Sequence, residues 1–193
     1  AVNPASGFVC SANNAPAPND SIALPGHYYA GNTRARAIMK ALSAPKNDWT
    51  LPEAQAIQLD HHSPVYESNA RMLTEYAAQA GVDVGVLWGW DGSHLAEEVA
   101  PTAYYRWMYR TIQGAMFDEF EAAAGAAQAQ EKFEAWHKTI VSENAFPKLL
   151  ANAESPWWDD VCTDAVETAS DIVARAWTVA REDLTRALGD NPE

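Results

Sequence analysis

Basic residues are scarce in this chain. Its 193 residues include 13 Lys and Arg against 26 Asp and Glu, which gives a formal net charge of -13. A nucleic-acid ligand needs a basic face for its phosphates, and an anionic membrane surface attracts clustered Lys and Arg. The composition therefore argues against both of these partners. It says little about a small-molecule substrate, because net charge governs solubility and steering.

Long apolar runs and cysteines are also scarce. The sequence contains no run of about 18 apolar residues, so we expect no membrane insertion. Cys10 and Cys162 are its two cysteines, and both a disulfide between them and two reduced thiols stay open. The first residues lack Met and a basic region, so they do not read as a signal peptide. We expect a processed or excised chain.

Familiar catalytic motifs are missing as well. The sequence has no Gly-Xaa-Ser-Xaa-Gly elbow and no phosphate-binding loop. Asp60-His61-His62 could suggest a metal site, but adjacent histidines point in different directions, and an exposed turn between helices is the better interpretation. Cys10 lies among apolar residues and is expected to be a small core residue. The residues alone therefore offer no convincing pair of nucleophile and base.

Helical patterns dominate from residue 31 onward. Apolar residues recur with helical spacing, and Ser, Thr and Pro mark several helix starts. The predicted helices are Arg34 to Leu42, Thr50 to Leu59, Ser63 to Gly81, Pro101 to about Ala124, Gln128 to Val141, Glu143 to Ala153, and a last helix from Ser155-Pro156 to Gly189. The last helix carries a long apolar stripe that includes Val161, Val166 and Trp177. The pattern predicts a mainly α fold.

Residues 1–30 differ from the rest of the chain. They carry few helix signals, and Phe8, Val9 and Cys10 suit a short buried strand. A polar turn with Asn13 and Asn14 follows. An Asn at a strand end can direct its side-chain NH₂ at an oxygen that becomes negative during acyl transfer, but Asn also builds ordinary turns. We expect residues 1–30 to be a strand and loop at the edge of a core, and residues 31–193 to be a helical domain.

Short motifs occur in a fixed order along nearly the whole chain. They are Asn3-Pro4, Gly7-Phe8-Val9, Ala12-Asn13-Asn14 with Pro16, Arg34-Ala35-Arg36-Ala37-Ile38 with Leu42, Gln58-Leu59-Asp60 with Ser63, Leu87 with Trp90-Asp91-Gly92, Trp157-Trp158-Asp159-Asp160 with Glu167-Thr168, and Leu188-Gly189-Asp190. In this order and spacing, the series resembles the penicillin acylase (penicillin amidase) family of N-terminal nucleophile hydrolases.

The resemblance implies an interior segment of a β-subunit. In that family the β-subunit begins with a Ser, Cys or Thr that self-cleavage frees, and its own α-amino group acts as the base. This nucleophile would lie outside the chain. The predicted strand would then belong to an αββα sandwich completed by other segments of the same precursor, the α-subunit and the remainder of the β-subunit. The substrate would be a small linear amide, and the location periplasmic or secreted.

Two site residues follow from the resemblance. Asn13 matches the Asn whose side-chain amide completes the oxyanion hole, and Arg34 matches an Arg that organises the surroundings of the nucleophile. The family's calcium-binding carboxylate would fall near Ala23 or Leu24, whose side chains cannot bind calcium, and Asp20 would need a local shift. We therefore expect no required cofactor and no calcium ligand from this segment, while a structural calcium ion elsewhere in the parent enzyme stays compatible with the resemblance.

Arg34 and Arg36 stand at the start of a predicted helix, where the helix dipole disfavours a cation. This position predicts that at least one of them has a carboxylate partner. Such an ion pair could be structural or functional, and the sequence leaves both open. A second interpretation of the whole chain also stays open, namely a non-catalytic, acidic helical module for binding or interaction.

Overall fold

A computed structural model describes residues 4–15, 33–44, 46 and 48–189. These residues form seven α-helices and two short 3₁₀ helices. The α-helices are α1 (Thr33–Leu42), α2 (Leu51–Gln58), α3 (Pro64–Gln79), α4 (Ala100–Ala124), α5 (Ala126–His137), α6 (Ile140–Leu150) and α7 (Ala169–Leu188). The 3₁₀ helices are Gly85–Leu87 and Pro156–Trp158. The prediction of a mainly α fold is confirmed.

The helices α4 and α7 form the centre of the core. They run antiparallel, since Arg110 binds Asp183 near one end and Gly114 meets Ile172 further along. A Cβ atom on Gly114 would lie 3.1 Å from Cγ2 of Ile172, so the missing side chain allows the helices to approach closely. Trp107 is fully buried between them, and its Nε1 donates to the carbonyl oxygen of Val173 at 2.9 Å.

The other helices pack around this pair. α5 contacts α4 through an aromatic cluster in which Phe133 is fully buried, and α3 contacts α7. Tyr76 on α3 donates from its hydroxyl to the carbonyl oxygen of Leu150 at the end of α6, at 2.9 Å. α1 packs on α3. This contact joins the N-terminal part of the described chain to the helical core.

Most predicted helix starts are confirmed. Thr50 and Glu53 form the expected capping box before α2, and Ser63 caps α3 by accepting from the backbone N–H of Tyr66. Pro64 occupies the first position of α3, where its missing N–H removes no intrahelical hydrogen bond. α1 and α4 begin within one residue of their predicted starts.

The predicted start of the last helix is wrong. Pro156 opens a 3₁₀ turn, and α7 begins only at Ala169, after a capping box made by Thr168 and Asp171. Val161 and Val166 are 57% and 84% exposed, so they do not belong to the apolar stripe.

Between Pro156 and Thr168, backbone N–H groups donate to side-chain carboxylates and not to helical carbonyl oxygens. The backbone N–H of Asp160 donates to Glu167, and the backbone N–H of Glu167 donates to Asp159. Carboxylates that satisfy backbone donors in this way compete with the helix for them. From Ala169 onward the stripe is confirmed, because Trp177 is 6% exposed and the helix stops at Gly189, where φ is +95°.

The N-terminal strand does not appear in the described part of the chain. Residues 8–11 have no regular secondary structure. A strand needs a neighbour for its backbone hydrogen bonds, and the prediction assigned that neighbour to other segments of a precursor. The strand, the αββα sandwich and the domain boundary near residue 30 therefore stay predictions. Among the described helices, none combines the length and the apolar character that crossing a membrane requires.

Candidate functional site: the Asn13 turn and Arg34

The turn at residues 12–15 holds the backbone in an uncommon conformation. Asn13 has φ of +64°, and among the described residues it is the one non-glycine residue with a positive φ. The left-handed region costs most L-residues about 1–2 kcal/mol, and Asn visits it more readily because its short polar side chain can hydrogen-bond locally. The Asn side chain is exposed, whereas Ala12 beside it is buried.

Arg34 reaches this turn from the first residues of α1. Its Nη2 atom donates to Oδ1 of Asn13 at 2.7 Å and to the carbonyl oxygen of Ala12 at 3.2 Å. The two predicted site residues, 21 positions apart in sequence, are therefore in direct contact. A single guanidinium nitrogen bridges a side-chain oxygen and a backbone oxygen of the same turn.

This contact orients the amide of Asn13. Because Oδ1 accepts from Arg34, the NH₂ group lies at the other end of the planar amide and points away from Arg34. Among the described residues, the only hydrogen bond to the side-chain amide of Asn13 is the one that its Oδ1 accepts from Arg34. A charged donor on Oδ1 also polarises the amide and strengthens donation from its NH₂ group.

The contact also gives Arg34 partners at its helix end. α1 begins at Thr33 and has no acidic residue in its first turn. The expected carboxylate partner of Arg34 is not found among the described residues, and Arg36 has an exposed side chain. Carbonyl and amide oxygens from residues 12 and 13 accept the guanidinium's hydrogen bonds instead.

The cysteines and histidines show no second catalytic centre in the described ranges. Both cysteines have free thiols, with Cys10 half-buried and Cys162 exposed. Partial desolvation raises the pKa of Cys162, and the charge of Asp160 adds to the effect, so its thiolate is disfavoured. Such a thiol is a poor nucleophile.

His62 lies in the exposed turn before α3. Its Nδ1 is 2.8 Å from Asp60, and its Nε2 is 3.3 Å from Asp91. The hydrogen bond to Asp60 is the main cause that raises the pKa of His62. The exposed turn is confirmed. The described residues contain no group of three or more side chains that could hold a metal ion. Ala23, Leu24 and Asp20, on which the calcium prediction depends, lie outside the described residues.

A cleft with a volume of about 360 Å³ lies between α4 and α7, and Arg110 and Arg175 line it together with carboxylates. Its lining includes Phe117, Asp118 and Asp160. Beside the cleft, the Oε2 atom of Glu119 is buried and has no hydrogen-bond partner in the described part of the chain. Burial, together with the neighbouring carboxyl group of Asp118 and its charge, raises the pKa of Glu119 to about 7. This cleft is a separate feature from the Asn13 turn.

Asn14 belongs to the same turn, and the sequence analysis gave it no site role. Its Oδ1 accepts from the backbone N–H of Ala12 at 3.1 Å, and its Nδ2 donates to the carbonyl oxygen of Ala15 at 3.1 Å. The Asn-Asn pair was visible in the sequence. Which of the two side chains bonds the backbone of the turn (Asn14) and which is exposed (Asn13) depends on the backbone conformation.

The comparisons with known proteins give one match. The family model described as Penicillin amidase matches residues 1–193 of the chain. Neither a curated protein nor a solved structure matches it.

Proposed function

Because this chain belongs to the penicillin amidase family, we propose that it is a segment of an amidohydrolase that cleaves a linear N-acyl amide. Asn13 supplies the side-chain donor of the oxyanion hole, and Arg34 supports it. The nucleophile is an N-terminal Ser, Cys or Thr outside this chain. The observation that carries the proposal is the 2.7 Å hydrogen bond from Arg34 to Oδ1 of Asn13, which directs the NH₂ group away from Arg34.

The proposed reaction has two steps. The hydroxyl or thiol of the nucleophile attacks the amide carbonyl carbon, and the α-amino group of the same residue accepts its proton. The carbonyl oxygen becomes negative in the tetrahedral intermediate and receives a hydrogen bond from Nδ2 of Asn13. The amine then leaves with the proton. In the second step, water attacks the acyl-enzyme, the acid is released and the nucleophile regains its hydrogen.

The proposed setting is the rest of the precursor. The α-subunit and the remaining β-subunit segments supply the sandwich, and residues 8–11 pair with its edge. The substrate is a small amide, such as a penicillin side chain or an acyl-homoserine lactone, and the enzyme is periplasmic or secreted. No nucleic acid takes part, and no cofactor is required. These statements rest on family membership and on the acidic composition.

A non-catalytic acidic binding module is the alternative. The net charge of -13 favours it. The Asn13 turn disfavours it. The backbone of Asn13 is in the left-handed region and Arg34 orients its side-chain amide, an arrangement that suits a catalytic hydrogen-bond donor and that a binding module does not require.

Processing and turnover of the parent protein distinguish the two functions. The intact mass and N-terminal sequence of the purified parent protein would be measured, followed by hydrolysis of phenylacetyl, phenoxyacetyl, glutaryl and long-chain acyl anilides and of a long-chain acyl-homoserine lactone. The amidase account expects two polypeptides, one beginning with Ser, Cys or Thr, and turnover of at least one substrate. A single unprocessed chain that hydrolyses none of them would support the binding module.

A further inference from the structure

The backbone around Asn13 is held by side chains. In the described part of the chain, no backbone-to-backbone hydrogen bond involves residues 8–15. A positive φ at a non-glycine residue persists only where the surroundings enforce it. Among the described residues, the hydrogen bonds that reach the backbone of this turn, in which Asn13 has φ of +64°, come from the side chains of Asn14 and Arg34.

Asn14 makes two of these contacts. Its Oδ1 reaches back across Asn13 to the N–H of Ala12, and its Nδ2 reaches forward to the carbonyl of Ala15, each at 3.1 Å. The half-buried side chain thus joins the residues on both sides of Asn13. Arg34 binds the carbonyl of Ala12, so Asn14 and Arg34 hold the N–H and the C=O of the same residue.

We infer that Asn14 is a positioning residue, which fixes the backbone of the turn so that the NH₂ group of Asn13 occupies the oxyanion position. The inference rests on the proposed function of Asn13. Asn14 does not touch the reacting atoms, and it acts only through Asn13. An oxyanion donor contributes fully only when it is preorganised, and small misplacements of such groups are costly.

A double-mutant cycle in the parent enzyme tests this inference. The variants are Asn14→Ala, Asn13→Gly and their combination, and kcat and KM are measured with the best anilide substrate. Glycine at position 13 tolerates the positive φ, so Asn13→Gly removes the amide without straining the backbone. Asn152→Ala, in an exposed turn after α6, is the matched control for loss of a turn Asn.

If Asn14 acts through Asn13, Asn14→Ala lowers kcat by about 10- to 100-fold and leaves KM within about threefold. In the Asn13→Gly background the same change has almost no further effect on kcat, because the donor that it positions is already absent. Asn152→Ala leaves kcat unchanged. If Asn14→Ala does not fold in a thermal-unfolding assay, Asn14→Asp replaces it, because the carboxylate keeps the acceptor for Ala12.

The outcomes separate this inference from the proposed function. An equal loss of kcat in both backgrounds shows a general structural role and overturns the inference, as does an unchanged kcat in Asn14→Ala when Asn13→Gly is slow. Both of these results leave the role of Asn13 intact. A wild-type kcat in Asn13→Gly overturns the proposed function itself.

Discussion

Arg34 donates from Nη2 to Oδ1 of Asn13 at 2.7 Å and joins the start of α1 to the polar turn at residues 12–15. The contact directs the NH₂ group of Asn13 away from Arg34. A turn with a purely structural role does not require this orientation. An amide with one end held by a cation is a preorganised hydrogen-bond donor.

Replacing Arg34 with Lys in the parent enzyme is expected to lower kcat by about 10-fold or more, with a smaller change in KM. Lys keeps the charge, but its side chain is one bond shorter than the path to Nη2 of Arg34, so its nitrogen falls short of the position that bonds Ala12 and Asn13 together. Steady-state kinetics and thermal unfolding would be measured in parallel. Arg36→Lys, on the same helix with an exposed side chain, is the control. A normal kcat in a folded Arg34→Lys enzyme would contradict the role of Arg34.

The chain of residues 1–193 is expected to hydrolyse no amide by itself. The described residues contain no paired nucleophile and base, and the raised pKa of Cys162 disfavours its thiolate. The check is an assay of the homogeneous chain with phenylacetyl and long-chain acyl anilides, beside the parent enzyme as positive control. Turnover that copurifies with this chain would refute the assignment of the nucleophile to another segment.

Trp177 is expected to be a major source of stability. It is 6% exposed, its ring centroid lies 5.0 Å from that of Trp107, and its Nε1 donates to the carbonyl of Asp83. Trp177→Ala should therefore lower the free energy of unfolding by roughly 3–5 kcal/mol, as large core deletions do. Chemical denaturation would measure it, with Thr178→Ala on the exposed side of α7 as control. A loss below about 1 kcal/mol would contradict the packing of α7.

Glu119 is expected to make stability depend on pH. Its folded pKa is raised from 4.5 to about 7, so the folded state favours the protonated form. The stability that this proton contributes is fully present below pH 4.5 and is lost as the pH rises to about 7.

Glu119→Gln should therefore raise the Tm at pH 8 by about 2 °C or more and change it little at pH 4. Thermal unfolding across pH, with exposed Glu131→Gln as control, measures the difference. An equal Tm shift at both pH values would show that ionisation of Glu119 is not the cause.

The sequence predicted the helical architecture well because its signals are local. Thr50 with Glu53 and Ser63 with Pro64 each mark a helix start within four residues. The start of α7 was predicted wrongly because Pro156 gave an equally strong local signal. The choice between Pro156 and Thr168 depends on backbone hydrogen bonds that the carboxylates of Asp159 and Glu167 accept, which only the folded loop reveals.

The site was predictable only in part. Family resemblance pointed to Asn13 and Arg34, but their contact spans 21 positions and follows no helical or strand period. The positive φ of Asn13 and the bracing by Asn14 depend on how the turn closes, and Asn-rich turns close in many ways. The strand at residues 8–11 depends on hydrogen-bond partners that the prediction assigns to other segments.

The most direct test of the central claim is the effect of Asn13→Gly on kcat in the processed parent enzyme, measured with the best anilide substrate. Glycine keeps the left-handed backbone, so only the amide is lost. The account predicts normal self-cleavage, a near-normal KM and a kcat lowered by about 100- to 1000-fold, as for loss of one oxyanion-hole donor. A folded, processed Asn13→Gly enzyme with a wild-type kcat would contradict the assignment of this turn to the active site.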